Sequence, residues 1–291
     1  MAFGLAFVVP SIYGQIFVAE AGSQRIGDYD ATTGAVINAS AISGVNWAPE
    51  IAVSGSNVFV VDQSSNTVGE YTTSGTALWS AGIANPIGIA VSGSNLFVVT
   101  SSSGGNGTVC EYTTSGTLLT ASPISGLNEP NGIAVSGSYL FVTNNMNGTV
   151  GKYTTTGGTV NASLISGLGA PGGIAVWGGN LYVTILGGTT VGEYTTTGGT
   201  VNASLISGLS GPQGIAISGS HIFVTNSRGG NVGEYNLDGT VVNPSLISGL
   251  DEPLGIAVEG TAVPEPSTYA AILGFVSMGF VVIRRRFVRS R

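Results

Sequence analysis

Charge is what this chain has least of. Only 8% of its 291 residues are Asp, Glu, Lys or Arg, and five of the eight basic residues lie among the final eight positions. Arg25, Lys152 and Arg228 alone serve the preceding body, against fourteen acidic residues ahead of Glu265, a net charge near −11. Such a body is not a nucleic-acid binder, because Lys and Arg must displace counterions from phosphate. Cys110 is the one cysteine, which excludes an internal disulfide. His221 is the one histidine, which excludes a histidine-rich metal site and an imidazole pair. Long helix-forming runs are also missing. The surface must therefore be covered by Ser, Thr, Asn and Gly, and the 47 glycines point to β-structure with many turns.

What is present in excess is repetition. One tyrosine recurs as Tyr29, Tyr71, Tyr112, Tyr153, Tyr194 and Tyr235, a spacing of 41 or 42 residues that falls in the range of propeller blades. An Ile-Ala-Val or Ile-Ala-Ile step begins at Ile51, Ile89, Ile133, Ile174, Ile215 and Ile256. An apolar-aromatic run surrounds Phe17, Phe59, Phe97, Phe141, Tyr182 and Phe223. Residues 154–168 and 195–209 are identical, the mark of a duplicated unit.

Each unit reads as four short strands; in one unit they fall at 132–135, 139–143, 149–153 and 159–165. Ser-Gly-Ser and Thr-Thr-Thr-Gly-Gly supply the positive φ of tight hairpins. Strands this short suit a radial meander. The Ile-Ala-Val strand is expected to line the axis, where Ala and the preceding Gly88, Gly132, Gly173, Gly214 and Gly255 tolerate crowding. The chain enters at residues 16–20 as a second strand and its last repeat element, 255–258, is a first strand. The expectation is an all-β, six-bladed β-propeller closed by pairing of its N- and C-terminal strands, which leaves neither end an open sheet edge. The run Ile16-Phe17-Val18-Ala19-Glu20-Ala21-Gly22-Ser23-Gln24-Arg25-Ile26, followed by Val58-Phe59-Val60-Val61-Asp62, resembles the NHL repeat. That resemblance covers residues 15–260, weakens in later units, and implies a propeller used as a binding platform.

The C-terminus carries an address. Val263, Pro264, Glu265, Pro266 and Ser267 lead into an apolar run at 269–283, followed by Arg284, Arg285 and Arg286. Fifteen helical residues span about 22 Å against an apolar bilayer core of roughly 30 Å, so a short transmembrane helix is expected. The arginines act as a cytoplasmic stop and place the body outside. In this order residues 263–291 resemble the PEP-CTERM sorting signal, within a sorting and anchor segment expected at 261–291. The resemblance implies processing by an exosortase-type membrane transpeptidase on the way to the cell surface or extracellular matrix. An ordinary membrane anchor is the alternative, and it too implies export. Residues 1–14 are expected to be a truncated signal peptide: apolar at 1–10, with no basic n-region, and with Ile12-Tyr13-Gly14 as a cleavage site.

Catalytic residues are not expected, nor a metal or cofactor. His221 reads as an exposed turn residue, and Cys110 as a packed thiol without an activating partner. The column Glu70, Glu111, Glu193, Glu234, with Asp28 and Lys152, repeats around the ring and reads as scaffold. Binding residues belong on the second–third and fourth–first loops, which vary between units. The candidates there are Trp47 for stacking on a sugar, Asn131, Asn144, Asn145 and Asn226 for hydroxyl groups, and Arg228. The same asparagines also serve as turn caps, the competing reading. Glu20 and Asp62 lie on this face without a spaced calcium motif. The leading functional expectation is an exported, non-enzymatic propeller binding an exopolysaccharide or envelope protein. A metal-dependent lyase or hydrolase and a self-associating adhesion module are the alternatives.

Overall fold

The computed structural model describes residues 14–102 and 105–259. The expected leader, apart from Gly14, and the expected membrane helix lie outside them; among the described residues no helix is long and apolar enough to cross a membrane.

Six four-stranded antiparallel sheets form the blades. From axis to rim, blade one runs Pro253–Val258, Gln15–Glu20, Arg25–Asp30 and Val36–Ser43, and blade two Ile51–Ser54, Asn57–Asp62, Thr67–Thr72 and Ala77–Gly82. Blade three is Pro86–Ser92, Asn95–Ser101, Asn106–Thr113 and Leu118–Asn128; blade four is Pro130–Ser136, Tyr139–Asn144, Thr149–Thr154 and Thr159–Ile165. Blade five comprises Pro171–Trp177, Asn180–Ile185, Val191–Thr195 and Thr200–Ile206, and blade six Pro212–Ser218, His221–Asn226, Asn231–Asn236 and Val241–Ser248. The six-bladed expectation holds, and in every blade but the second the inner strand starts earlier than the sequence suggested, at the proline rather than the glycine.

Blade one closes the ring in the expected phase. Ile16 opposes Val258, Phe17 opposes Ala257 and Val18 opposes Ile256. Glu20 reinforces the seam: its carboxylate takes Arg25 Nε at 2.9 Å, the Tyr29 hydroxyl at 3.2 Å and the Asp251 backbone N–H at 3.1 Å. Gln15 and Val258 both lie at the pole where the first–second turns of the other blades sit.

Alternation explains the packing. Phe17, Phe59, Phe97, Phe141 and Phe223 are fully buried, and each apolar cluster joins neighbouring blades, as where Phe17 and Ile26 meet Ile51, Val58 and Val60. In blades four, five and six the tyrosine of the column needs the glycine two residues before it; in blade three Cys110 stands there instead. A Cβ on Gly151, Gly192 or Gly233 would lie 2.6 Å from the hydroxyl oxygen of Tyr153, Tyr194 or Tyr235, so the ring crosses the glycine. Thr143, Thr184 and Thr225 fasten blades to one another, each donating its hydroxyl to a carbonyl of the next inner strand (Gly172 at 2.7 Å, Gln213 at 2.7 Å, Leu254 at 2.6 Å).

The rim strands carry no charged residue, the usual guard of an exposed sheet edge. A bulge does that work in four blades. The side-chain oxygens of Asn38, Asn161, Asn202 and Asn243 accept the backbone N–H two residues on, at 3.0–3.1 Å, while the ladder register shifts beside each.

Candidate functional site: the axial cavity

The inner strands converge on a recurring Pro-x-Gly-Ile step: Pro86 to Ile89, Pro130 to Ile133, Pro171 to Ile174, Pro212 to Ile215 and Pro253 to Ile256. The glycines face the axis. A Cβ on Gly132 would stand 2.7 Å from Gly172 O, on Gly173 2.6 Å from Gln213 O, and on Gly214 2.5 Å from Leu254 O. Only glycine fits where neighbouring backbones approach this closely. The residue before each glycine then falls at the mouth of the axis.

Blade two breaks the ring. Its sequence is Pro49-Glu50-Ile51, one residue shorter, so a glutamate occupies the position of the axial glycine. Gly255, lacking a side chain, makes room for it: a Cβ there would sit 2.8 Å from Glu50 Cα. The Glu50 carboxylate reaches across two blades to accept the backbone N–H groups of Ile89 and Ile133. Burial nevertheless holds its carboxyl well above the ordinary carboxylate range, against the pull of those two amides.

Above Glu50 opens a cavity of about 270 Å³. Its wall includes Ile87, Asn131, Gln213 and Leu254 from the Pro-x-Gly-Ile steps, Gln63 and Ser227 from second–third turns, and Trp47 and Glu252. Among the lining residues Glu50 and Glu252 are the titratable ones, and none is basic. Trp47 is 40% exposed at the rim. Its loop is held by Asp62, whose Oδ2 accepts the Asn46 N–H at 3.2 Å, and by Gln63 N–H donating to Trp47 O at 2.9 Å.

Of the residues singled out from sequence, Trp47 and Asn131 line this cavity. Asn144 and Asn226 do not reach the surface, being 3% exposed each. Asn144 Oδ1 accepts the N–H of Asn128, on the last strand of the neighbouring blade, at 3.2 Å, and Asn226 Nδ2 donates to Asn231 Oδ1 within its own turn at 2.8 Å. Asn145 is half-buried and its N–H donates to Glu129 O at 3.0 Å. Arg228 is exposed and lays its aliphatic stem beside Gly211, outside the cavity. Glu50 has one signal in the sequence: it stands in the single unit in which the axial glycine is replaced.

The opposite pole is built from a paired column that the repeats show and that single positions hide. The residue opening each second strand meets the third-strand carboxylate: Gln15 with Asp28 at 2.7 Å, Asn57 with Glu70 at 2.6 Å, Asn95 with Glu111 at 2.9 Å and Asn180 with Glu193 at 2.7 Å. Blade four exchanges both partners, placing Lys152 Nζ 4.2 Å from the centre of the Tyr139 ring. His221 belongs to this column. Contrary to the expectation of an exposed turn residue, it opens a strand and points Nδ1 at Glu234 Oε1, 2.9 Å away, with 15% of its side chain exposed. Cys110 is buried and donates to Ala121 O at 2.8 Å, and burial pushes its thiol up, away from the reactive thiolate.

Comparison with solved structures places the architecture. A protein of unknown function from Bacteroides caccae is similar over 84% of this chain and 98% of that one, with 15% identity and a TM-score of 0.68. A chain from the nidogen/laminin complex is similar over 84% and 97%, with 18% identity and a TM-score of 0.69. Virginiamycin B lyase from Staphylococcus aureus is similar over 84% of each chain, with 17% identity and a TM-score of 0.61. At these identities the likeness is one of fold. No curated protein matches the sequence. Outside the propeller, residues 262–286 match the PEP-CTERM protein-sorting motif, which indicates export, sorting to the cell envelope and processing by an exosortase, a membrane enzyme.

Proposed function

We propose that the chain is a non-enzymatic, exported propeller that binds an exopolysaccharide or another envelope component at the axial cavity. In this reading the tail holds it briefly in the membrane before release to the surface or matrix. The observation that carries the reading is the cavity itself, where amide and hydroxyl side chains converge below an aromatic rim. Asn131, Gln63, Gln213 and Ser227 offer donors and acceptors suited to sugar hydroxyls, and Trp47 offers a face for a pyranose ring. No group of three or more His, Cys, Asp or Glu suited to a metal occurs among the described residues.

The lyase among the similar structures argues for contrast. A virginiamycin B lyase in which one histidine is replaced by alanine is described as catalytically inactive. The single histidine here lies at the pole opposite the cavity, bound to Glu234. The test is titration of the purified body with host envelope polysaccharide fragments, followed by Trp47→Ala. Binding weakened at least about tenfold by the substitution is expected, the scale of one lost stacking contact. Undiminished binding, or no fragment bound, overturns the proposal.

A further inference from the structure

We infer that the axial cavity recognises a protonated amine on a sugar-sized ligand, with Glu50 as its counter-charge; this rests on the binding reading above. Three observations lead here. The first is asymmetry: five blades place glycine at the axis, and the sixth places a carboxylate there. A purely structural ring needs no such exception, since glycine already solves the crowding in the other five. The second is charge. The cavity is lined by Glu50 and Glu252 and by no lysine, arginine or histidine. It therefore repels uronic acids and phosphates, while an ammonium group compensates a carboxylate that burial holds above the ordinary carboxylate range. The third is size. About 270 Å³ holds roughly nine waters at about 30 Å³ each, far more than a bare ion requires and close to one saccharide unit. Trp47 at the rim adds an aromatic face, which attracts ammonium groups as well as pyranose rings.

The linkage has a definite sign. An ammonium ligand needs Glu50 ionised, and Glu50 starts out protonated at low pH, so affinity rises as pH passes through its raised pKa. It falls again only where the amine itself discharges. Glu252 is the one other titratable group lining the cavity. A neutral sugar shows no such rise.

The test is calorimetric titration of the propeller with a glucosamine tetramer and with its N-acetylated counterpart. The glucosamine tetramer is expected to bind at least about tenfold more tightly, with the pH rise above, as befits one ion pair in a semi-buried site. Glu50→Gln is expected to erase that preference, so that the two tetramers bind alike. Glu50→Gly, which installs the residue of the other five blades, does the same and guards against misfolding of the glutamine variant. Equal binding of both tetramers by the unaltered protein overturns the inference and leaves the binding reading standing. Failure of both tetramers, and of every neutral fragment, overturns the two together. Calcium alone binding with loss on Glu50→Gln also overturns it, because the site is then one for a metal ion.

Discussion

Asp28 shows how a single residue sets a pH response. Its carboxylate is 3% exposed, receives Gln15 Nε2 at 2.7 Å on one oxygen, and leaves the other buried oxygen without a partner. Burial, and then the nearby charge of Glu259, push its pKa up to about 6 from 3.8. An acid whose pKa is raised by folding binds its proton more tightly in the folded state. Its stabilising effect is complete below 3.8 and is lost as pH rises through about 6. Asp28→Asn keeps the acceptor for Gln15 and removes the charge. Denaturant titrations are expected to show the variant more stable than the parent at neutral pH, with the difference vanishing near pH 3.8. A variant less stable than the parent at neutral pH alone would show that Asp28 is needed ionised.

At the scale of the element, the rim strands are the vulnerable feature. They expose Val36, Val160, Val201 and Val241 at 51–61% on edges with no lysine or glutamate to discourage pairing. Protection comes from the asparagine bulges, which turn an amide away from the ladder and occupy it with a side-chain oxygen. Replacing Asn161 and Asn202 together by Val frees both amides and adds two β-branched residues to straight edges. The double variant is expected to unfold at a temperature within a few degrees of the parent, because surface changes cost about 0.5 kcal/mol or less each, yet to scatter light at concentrations where the parent stays clear. Unchanged scattering would show that the bulge does not guard the edge. Asn161 and Asn202 lie in the two identical stretches of sequence, 154–168 and 195–209, while the bulge itself is visible only with the register. The same limit explains His221. At the equivalent positions Asn57, Asn95 and Asn180, the carboxylate partners stand thirteen or sixteen residues away across a hairpin.

For the molecule as a whole, ring closure was legible because the phase of each end could be compared with five intact units. The site was not, for two reasons. The residues at the cavity mouth come from separate repeats and meet only once the sheet curves into a ring. Glu50 does align with the axial glycines, directly before its Ile-Ala-Val step, but that the position faces a cavity emerges only from the closed ring. The seam carries its own prediction. Ending the chain at Leu250 removes the inner strand of blade one, exposes the ladder edge of Gln15–Glu20, and strips Ile256 and Ala257 from two apolar clusters. Such a chain is expected to lose its cooperative denaturation by circular dichroism. A sharp, unshifted transition would show that the other five blades hold the ring alone.

The closing strand also fixes a direction. Pro253–Val258 runs from the cavity mouth to the far pole, where Glu259 N–H donates to Gln15 O at 2.7 Å. The chain therefore leaves the ring on the side turned away from the cavity. At Glu259 the described chain stands at the pole opposite the cavity mouth, so the two poles of the ring carry different burdens: the seam of the two chain ends at one, the open cavity at the other.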